Sequence, residues 1–191
     1  MKVGVLSLQG DFAAHGAALE RAGAEPVYVR EREQLNEIAG LIIPGGESTT
    51  MLKLMEYDDL AAPIADFGRH KPVFGTCAGA ILMASQVSNP VQAALGLVSF
   101  SVERNAYGRQ LDSRVVRLEP EAAFSERTAP GPLEAVFIRA PIIRDLGGEA
   151  RVLARYNGDP VLVEEGRHLV ATFHPELTQD SRVHRYFLEK L

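Results

Sequence analysis

The sequence predicts an α/β fold in which a doubly wound, mostly parallel sheet carries helices on both faces. Short apolar runs alternate with helix-prone segments along the first half of the chain, and alternating strands and helices form parallel sheets. The first run, residues 3–8, has apolar residues on both faces of the predicted strand, which is typical of a strand buried on both sides. Ligands of such sheets bind beyond the C-terminal ends of the strands, so functional residues are expected just after strands.

The first half of the chain supplies most of these alternating units. Strand 3–8 leads through Gly10-Asp11 into a helix from Phe12 to Leu19 that stops at Gly23. Further strands are predicted at 26–29, 40–44 and 72–74, and helical segments at 31–37, 49–56, 59–70 and 80–85. Ser48 is predicted as the N-cap of the helix that follows it.

The second half predicts additional antiparallel or mixed strands. Residues 88–134 contain several prolines and short alternating runs such as 113–118, which indicate strands and loops rather than a second domain. Later strands are predicted at 136–138, 151–154, 160–163 and 168–173, and Asn157-Gly158 is typical of a hairpin turn. Asp180 is predicted to cap a final helix.

Length and composition narrow the class of protein. A chain of 191 residues, at roughly 150 residues per domain, predicts one domain spanning residues 1–191. The net charge of −5 argues against a broad nucleic-acid or anionic-membrane surface. No signal segment and no run of about 18 apolar residues is present, so no membrane association is expected.

The chain has one cysteine, Cys77. It can form no intramolecular disulfide and no all-cysteine zinc site, and this composition suits a reducing cytoplasm. Cys77 lies in Gly75-x-Cys77-x-Gly79, between a predicted strand and a predicted helix, which is the layout of a nucleophile elbow. A helix N-terminus favours the thiolate, and the backbone N–H of Ala78 would serve as an oxyanion donor. The alternative is a small buried apolar residue.

A cysteine nucleophile needs a base, and His174-Pro175-Glu176 is the histidine motif that contains its own carboxylate. In an extended segment residues i and i+2 point to one face, so the imidazole and the carboxylate can lie side by side. Glu176 would then fix the tautomer of His174, as in a catalytic triad. A capping turn is the alternative, and a metal site of His168, His174 and Glu176 fits the spacing less well.

The turn Gly45-Gly46-Glu47-Ser48 follows another predicted strand at the same edge. The N–H of Gly46 could supply the second oxyanion donor, although a Gly-Gly turn alone is often plain loop geometry.

Taken together, Gly75-x-Cys77-x-Gly79, His174-x-Glu176 and Pro44-Gly45-Gly46 resemble the class I, or triad, glutamine amidotransferases. Within these, the motifs are most similar to those of the glutaminase subunits of pyridoxal 5′-phosphate synthases. The matching stretches are 8–12, 44–50, 75–79, 104–110, 137–141 and 173–178.

This resemblance implies a flavodoxin-like sheet with additional antiparallel strands, and hydrolysis of L-glutamine without a cofactor or metal. It implies Cys77 as nucleophile, His174 as general base and acid, and Glu176 as the partner of His174. The positions that match the family's glutamine-binding residues are Gly46, Glu47, Ser48, Arg104, Ile138 and Arg139.

The resemblance also implies a partner, a separate synthase subunit that receives the ammonia, in a complex that can hold twelve copies of each polypeptide. The Gln9-Gly10 loop and the segment from Arg104 to Gln110, which includes Arg109, are candidate docking elements. Two alternatives stay open at this point. One is a non-catalytic binding module of the same fold, and the other is an amidotransferase that feeds a different acceptor.

Overall fold

The chain is described by a computed structural model that covers residues 1–105 and 114–191. The strands of these residues are β1 (Lys2–Leu6), β2 (Glu25–Val29), β3 (Leu41–Ile43), β4 (Val73–Thr76), β5 (Gln86–Ser88), β6 (Ser101–Glu103), β7 (Arg114–Leu118), β8 (Leu133–Phe137), β9 (Ile142–Arg144), β10 (Ala150–Tyr156), β11 (Asp159–Glu165) and β12 (His168–Ala171). The α-helices are α1 (Phe12–Ala22), α2 (Ser48–Tyr57), α3 (Ala61–His70), α4 (Ala78–Met83), α5 (Ala122–Ser125) and α6 (Arg182–Leu188). Short 3-10 helices cover Arg32–Glu37 and Pro175–Leu177.

Among the described residues, the main sheet has seven strands in the order β10-β11-β12-β4-β3-β1-β2. The strands from β12 to β2 are parallel neighbours, whereas β11 and β10 extend the sheet in antiparallel pairing. The parallel part follows the 2-1-3-4-5 order of flavodoxin-like sheets. This confirms the predicted doubly wound, mostly parallel sheet with additional antiparallel strands.

Helices cover both faces because successive strand residues point to opposite sides. In β3, Leu41 and Ile43 pack into the core beneath α2, α3 and α4, whereas Ile42 packs into the other core, beneath α1 and α6. All three β3 side chains are fully buried. Strand β3 is therefore an unbroken apolar run in the sequence.

Between residues 86 and 144, the residues that the structure describes form two small sheets beside the main one. Strands β5, β6 and β9 form a three-stranded sheet, and β7 pairs with β8 in an antiparallel ribbon. This confirms the mixed strands predicted between residues 88 and 134. The predicted hairpin at Asn157-Gly158 is also present, because β10 and β11 pair across it with both turn residues at positive φ.

Several predicted boundaries differ from the structure. The residue at the N-cap of α2 is Glu47, not Ser48, and its carboxylate accepts the N–H groups of Thr49 and Thr50. The N-cap of α6 is Ser181, although the Asp180 carboxylate still accepts the N–H of Arg182. The first strand ends at residue 6 rather than 8, β8 begins three residues before the predicted 136, and α4 begins directly after the cysteine.

Within residues 1–105 and 114–191, no helix has the length and the apolar character needed to cross a bilayer.

Arg182 connects the start of α6 to the loop before β8. Its guanidinium donates to the carbonyl oxygens of Ala129 and Gly131 at 2.8 Å and of Pro132 at 2.6 Å, and it pairs with Asp180 at 2.6 Å. We expect Arg182→Met to lower the free energy of unfolding by about 2 to 3 kcal/mol, because these acceptors lose charge-assisted hydrogen bonds. Urea unfolding measures the change.

Arg185→Met is the matched control, since Arg185 is exposed on the same helix and exposed substitutions cost under about 0.5 kcal/mol. Equal losses in the two variants would contradict a structural role for the Arg182 contacts.

Candidate active site

The turn at Cys77 joins β4 to α4 in a strained backbone conformation. Cys77 has φ 48° and ψ −101°, a region that residues other than glycine adopt rarely and at a cost. A Cβ atom at Gly79 would overlap the carbonyl oxygen of Ile43, and one at Gly75 would lie 2.7 Å from the Gly79 carbonyl. The two glycines therefore let α4 approach the sheet closely. The Cys77 sulfur is 3.8 Å from the carbonyl oxygen of Ile138.

His174 lies beyond the end of β12, at the same edge of the sheet. Its Nδ1 is 2.7 Å from Oε1 of Glu176, and both side chains are buried. Its backbone N–H donates to the carbonyl of Val136 at 2.8 Å. The imidazole occupies the space that a side chain at Gly45 would fill. The predicted pairing of imidazole and carboxylate across Pro175 is therefore present.

The protonation of this pair follows from its surroundings. Burial opposes a charge on His174, but the interaction with Cys77 and the hydrogen bond to Glu176 outweigh it and raise the pKa of His174 above its usual value. Burial raises the pKa of Glu176, partly offset by its hydrogen bond to His174. The imidazolium is thus stabilised between a sulfur and a carboxylate, which is the state that activates a thiolate nucleophile.

The turn after β3 is held by the loop after β1. The Oε1 of Gln9 accepts the N–H of Glu47 at 2.9 Å, and the N–H of Asp11 donates to the Gly45 carbonyl at 3.1 Å. Gly46 has φ 154°, and a Cβ there would meet the Gln9 side chain. Gln9, expected from the sequence to lie in a docking loop, thus positions the turn that carries the Gly46 N–H.

Glu47 and Arg104 are paired on the wall of the site. Glu47 accepts the N–H groups of Thr49 at 3.2 Å and Thr50 at 2.7 Å, the Thr50 hydroxyl at 2.8 Å, and Arg104 at 3.2 Å. Despite partial burial, the bonds from Thr50 and Thr49 lower the pKa of Glu47 to about 2. Because a carboxylate offers about four acceptor positions, a ligand's ammonium group would have to replace one of these partners.

Ser48 is also engaged, since its buried hydroxyl donates to Oε1 of Gln92 at 3.0 Å. The sequence does not single out Gln92, because nothing local marks the loop after β5 as a neighbour of α2.

A cavity of about 320 Å³ lies in front of Cys77. The structure brings nine of the sequence-predicted site residues to its wall, namely Gly46, Glu47, Ser48, Cys77, Ala78, Arg104, Ile138, Arg139 and His174, and Glu176 lies behind His174. The cavity is also lined by Gln9, Asp11, Ile81 and Asn105, which are not among the site residues predicted from the sequence. Gln9 and Asp11 follow β1, so the strand-end rule would have found them.

The alternative metal set is not assembled. His168 begins β12 while His174 lies beyond its end, and Nδ1 of His168 accepts the N–H of Val73 at 3.2 Å. The candidate docking residue Arg109 and the rest of the motif after Asn105 lie outside the described residues.

The chain is similar to known proteins over nearly its whole length. The model of the SNO glutamine amidotransferase family matches residues 5–191. A protein of Solibacter usitatus named pyridoxal 5′-phosphate synthase subunit PdxT is 72% identical, covering 100% of this chain and 99% of that protein. A protein of Koribacter versatilis with the same name is 53% identical, covering 99% of this chain and 95% of that protein.

Solved structures are similar as well. A crystal structure of a glutamine amidotransferase has a TM-score of 0.89 at 46% identity, covering 98% of this chain and 97% of that one. The structure of PurLQS from Thermotoga maritima has a TM-score of 0.71 at 19% identity, covering 98% of this chain and 97% of the matched one, and shares the fold.

The single cysteine allows a direct test of the His174 contact. At pH 6.5 we expect iodoacetamide to alkylate Cys77 at least roughly tenfold faster in the unmodified chain than in His174→Ala, because the imidazolium stabilises the thiolate. Mass spectrometry of the labelled chain gives the rate.

His70→Ala is the control, since His70 is exposed at the end of α3 and His174 is the histidine beside the sulfur. A rate unchanged by loss of His174 would show that the imidazole does not activate the thiol.

Proposed function

Because the chain belongs to the SNO glutamine amidotransferase family, we propose that it is a glutaminase, which hydrolyses L-glutamine to L-glutamate and ammonia. The observation that carries this proposal is the placement of Cys77, His174 and Glu176 at one sheet edge, in front of a cavity of about 320 Å³. The relatives named pyridoxal 5′-phosphate synthase subunit PdxT support vitamin B6 biosynthesis as the destination of the ammonia.

In the first half of the proposed reaction, the Cys77 thiolate attacks the side-chain amide carbon of glutamine. The electron pair of the C=O bond moves to oxygen, and the N–H groups of Gly46 and Ala78 stabilise this oxyanion. Imidazolium His174 gives its proton to the amide nitrogen, the C–N bond breaks, and ammonia leaves a thioester on the sulfur.

In the second half, neutral His174 takes a proton from water as the water oxygen attacks the thioester carbon. The oxyanion forms again between the same two N–H groups, the C–S bond breaks, and glutamate leaves with the thiolate regenerated. Glu176 stays hydrogen-bonded to Nδ1 of His174 throughout, at 2.7 Å in this structure, so that the other ring nitrogen faces the sulfur.

The recognition of glutamine is proposed for residues that surround the sulfur. The backbone carbonyl of Ile138 is 3.8 Å from the sulfur, and Gly46, Glu47, Ser48, Arg104 and Arg139 also line the cavity. Arg139 is exposed, so its guanidinium is available to the substrate carboxylate. Arg104 is already tied to Glu47 at 3.2 Å, which suits a role in shaping the pocket.

The ammonia needs a direct route to its acceptor, because in water at neutral pH it is mostly ammonium and no longer nucleophilic. We therefore propose that this chain binds a separate pyridoxal 5′-phosphate synthase subunit, with twelve copies of each in the full complex. The proposed nucleophile is also the sole cysteine and has to stay reduced, which favours a cytoplasmic location.

The test is glutamate release from L-glutamine by the purified chain, with and without a pyridoxal 5′-phosphate synthase subunit. We expect release that the synthase stimulates and that Cys77→Ala reduces at least roughly a thousandfold. His70→Ala, at an exposed position outside the cavity lining, should retain the rate.

A rate of glutamate release that is the same with and without the synthase would point to another acceptor for the ammonia. No activity under any condition would support a non-catalytic binding module instead.

A second prediction concerns Arg109, in the motif that follows Arg104. If this motif contacts the synthase, Arg109→Ala should lower glutamate release only in the presence of the synthase. Steady-state rates with and without the partner measure the difference, and an equal loss without it would contradict a docking role.

A further inference from the structure

Two fully buried histidines lie behind Glu176, on the side away from the cavity. His15 is in α1 and His184 is in α6, and both side chains have no exposed surface. Nδ1 of His15 is 3.0 Å from Nε2 of His184, and Nε2 of His15 is 3.0 Å from the hydroxyl of Thr76. The same Nε2 is 3.4 Å from Oε2 of Glu176. The proposed triad does not use either histidine.

The second oxygen of Glu176 is the reason these contacts matter. Oε1 is hydrogen-bonded to His174, whereas Oε2 is buried and has no hydrogen bond of good geometry among the described residues. A buried carboxylate oxygen without a donor is costly and favours the protonated acid. A protonated Glu176 could not stabilise the imidazolium form of His174.

Both buried histidines are neutral. Burial lowers the pKa of His15 well below its usual value, and His184 and His174 lower it further when either carries a positive charge. Burial, together with the charge of Arg21, lowers the pKa of His184 to about 3. A neutral imidazole carries one N–H and one acceptor nitrogen, so the contacts depend on which nitrogen of His15 holds the proton.

The two tautomers of His15 differ in what they present to Glu176. With the proton on Nδ1, the lone pair of Nε2 would face the carboxylate oxygen 3.4 Å away, which is repulsive. With the proton on Nε2, the N–H lies 3.0 Å from the Thr76 hydroxyl and on the side of Oε2 of Glu176, which is 3.4 Å from the same nitrogen, and Nδ1 accepts the Nε2–H of His184. An ionised Glu176 therefore selects the second arrangement.

We propose that His15, in its Nε2–H form, is a positioning residue whose N–H faces Oε2 of Glu176 at 3.4 Å and thereby keeps this carboxylate ionised and aligned on His174. His184 fixes the tautomer of His15 from the other side. The inference rests on the proposed glutaminase function. It extends the line from Cys77 through His174 and Glu176 into the layer between the sheet and the helices α1 and α6.

Substitutions of His15 by glutamine and by asparagine distinguish a donor role toward Glu176 from a role in core packing alone. The amide nitrogen of glutamine is as many bonds from the backbone as Nε2 of histidine, whereas that of asparagine corresponds to Nδ1. His15→Gln therefore keeps a donor toward Glu176, and His15→Asn keeps only the contact toward His184.

In glutamate release with the synthase subunit, we expect His15→Gln to stay within about threefold of the unmodified kcat and His15→Asn to lose roughly ten- to a hundredfold. The KM for glutamine should change less than about twofold in both, because His15 does not line the cavity. Equal kcat values in the two variants, or a loss confined to KM, would overturn the proposal.

Nitrogen NMR of the 15N-histidine-labelled protein tests the tautomer of His15 directly. This measurement does not depend on whether the His15→Asn variant folds. The His15 signal is assigned by its absence from the His15→Gln spectrum. A protonated Nε2 with unprotonated Nδ1 is expected, and the reverse pattern would overturn the proposal.

The unmodified chain keeps the two hypotheses apart. If it releases no glutamate with the synthase, the proposed function fails whatever the tautomer of His15. If it is active while His15→Asn matches His15→Gln, the function stands and the positioning role fails.

Discussion

The close approach of α4 to the central strands is the constraint on which the rest of the site depends. A side chain at Gly79 would overlap the carbonyl of Ile43, and one at Gly75 would collide with Gly79. Because neither glycine has a side chain, the chain turns from β4 into α4 at the single residue Cys77, which takes φ 48°. Such a conformation costs on the order of 1–3 kcal/mol. The buried residues of α4 that follow, from Ala78 to Met83, offset this cost by packing into the core.

Glycines also allow close contacts among the loops that follow β1, β3 and β12, near the sulfur. A Cβ at Gly10 would overlap the Gly45 carbonyl, and a Cβ at Gly45 would overlap the imidazole of His174. The loop after β1 thus supports the turn after β3, and that turn supports the residue after β12. The parallel arrangement brings the C-terminal ends of β1, β3 and β12 to one edge of the sheet. Glycine at each contact then allows the segments after these strands to pack directly against one another. The position of His174 is consequently limited by the backbone of this turn as well as by the hydrogen bond to Glu176.

The sequence predicts what depends on short spacing and on the strand-end rule. Cys77, His174 and Glu176 could be placed because each motif lies directly after an apolar run, and the i, i+2 spacing across Pro175 leads to the observed 2.7 Å contact. Residue preferences predict the wrong N-cap of α2, where two adjacent residues can both accept hydrogen bonds from the helix. Glu47 caps α2 instead of Ser48, because its longer carboxylate reaches two backbone N–H groups while the Ser48 hydroxyl turns to Gln92.

What the sequence cannot supply are contacts between distant segments. His15 lies on a helix whose apolar periodicity explains its burial, and nothing near it in the chain indicates a chemical partner. Its partners His184 and Thr76 are 169 and 61 positions away, and only the packing of α1 and α6 against the sheet brings them together. The same holds for Gln9, whose contact with Glu47 depends on the adjacency of β1 and β3.

The cavity itself requires the two small sheets. An open parallel sheet ends in a bare edge, whereas here Arg104 follows β6 and Ile138 follows β8, and both line the cavity that contains the sulfur. The proposed reacting groups belong to the main sheet, and much of the proposed substrate wall belongs to residues outside it. The ion pair between Glu47 and Arg104 joins the two parts. The wall can therefore differ among proteins of this fold while the geometry of Cys77 and His174, fixed by the main sheet, stays the same.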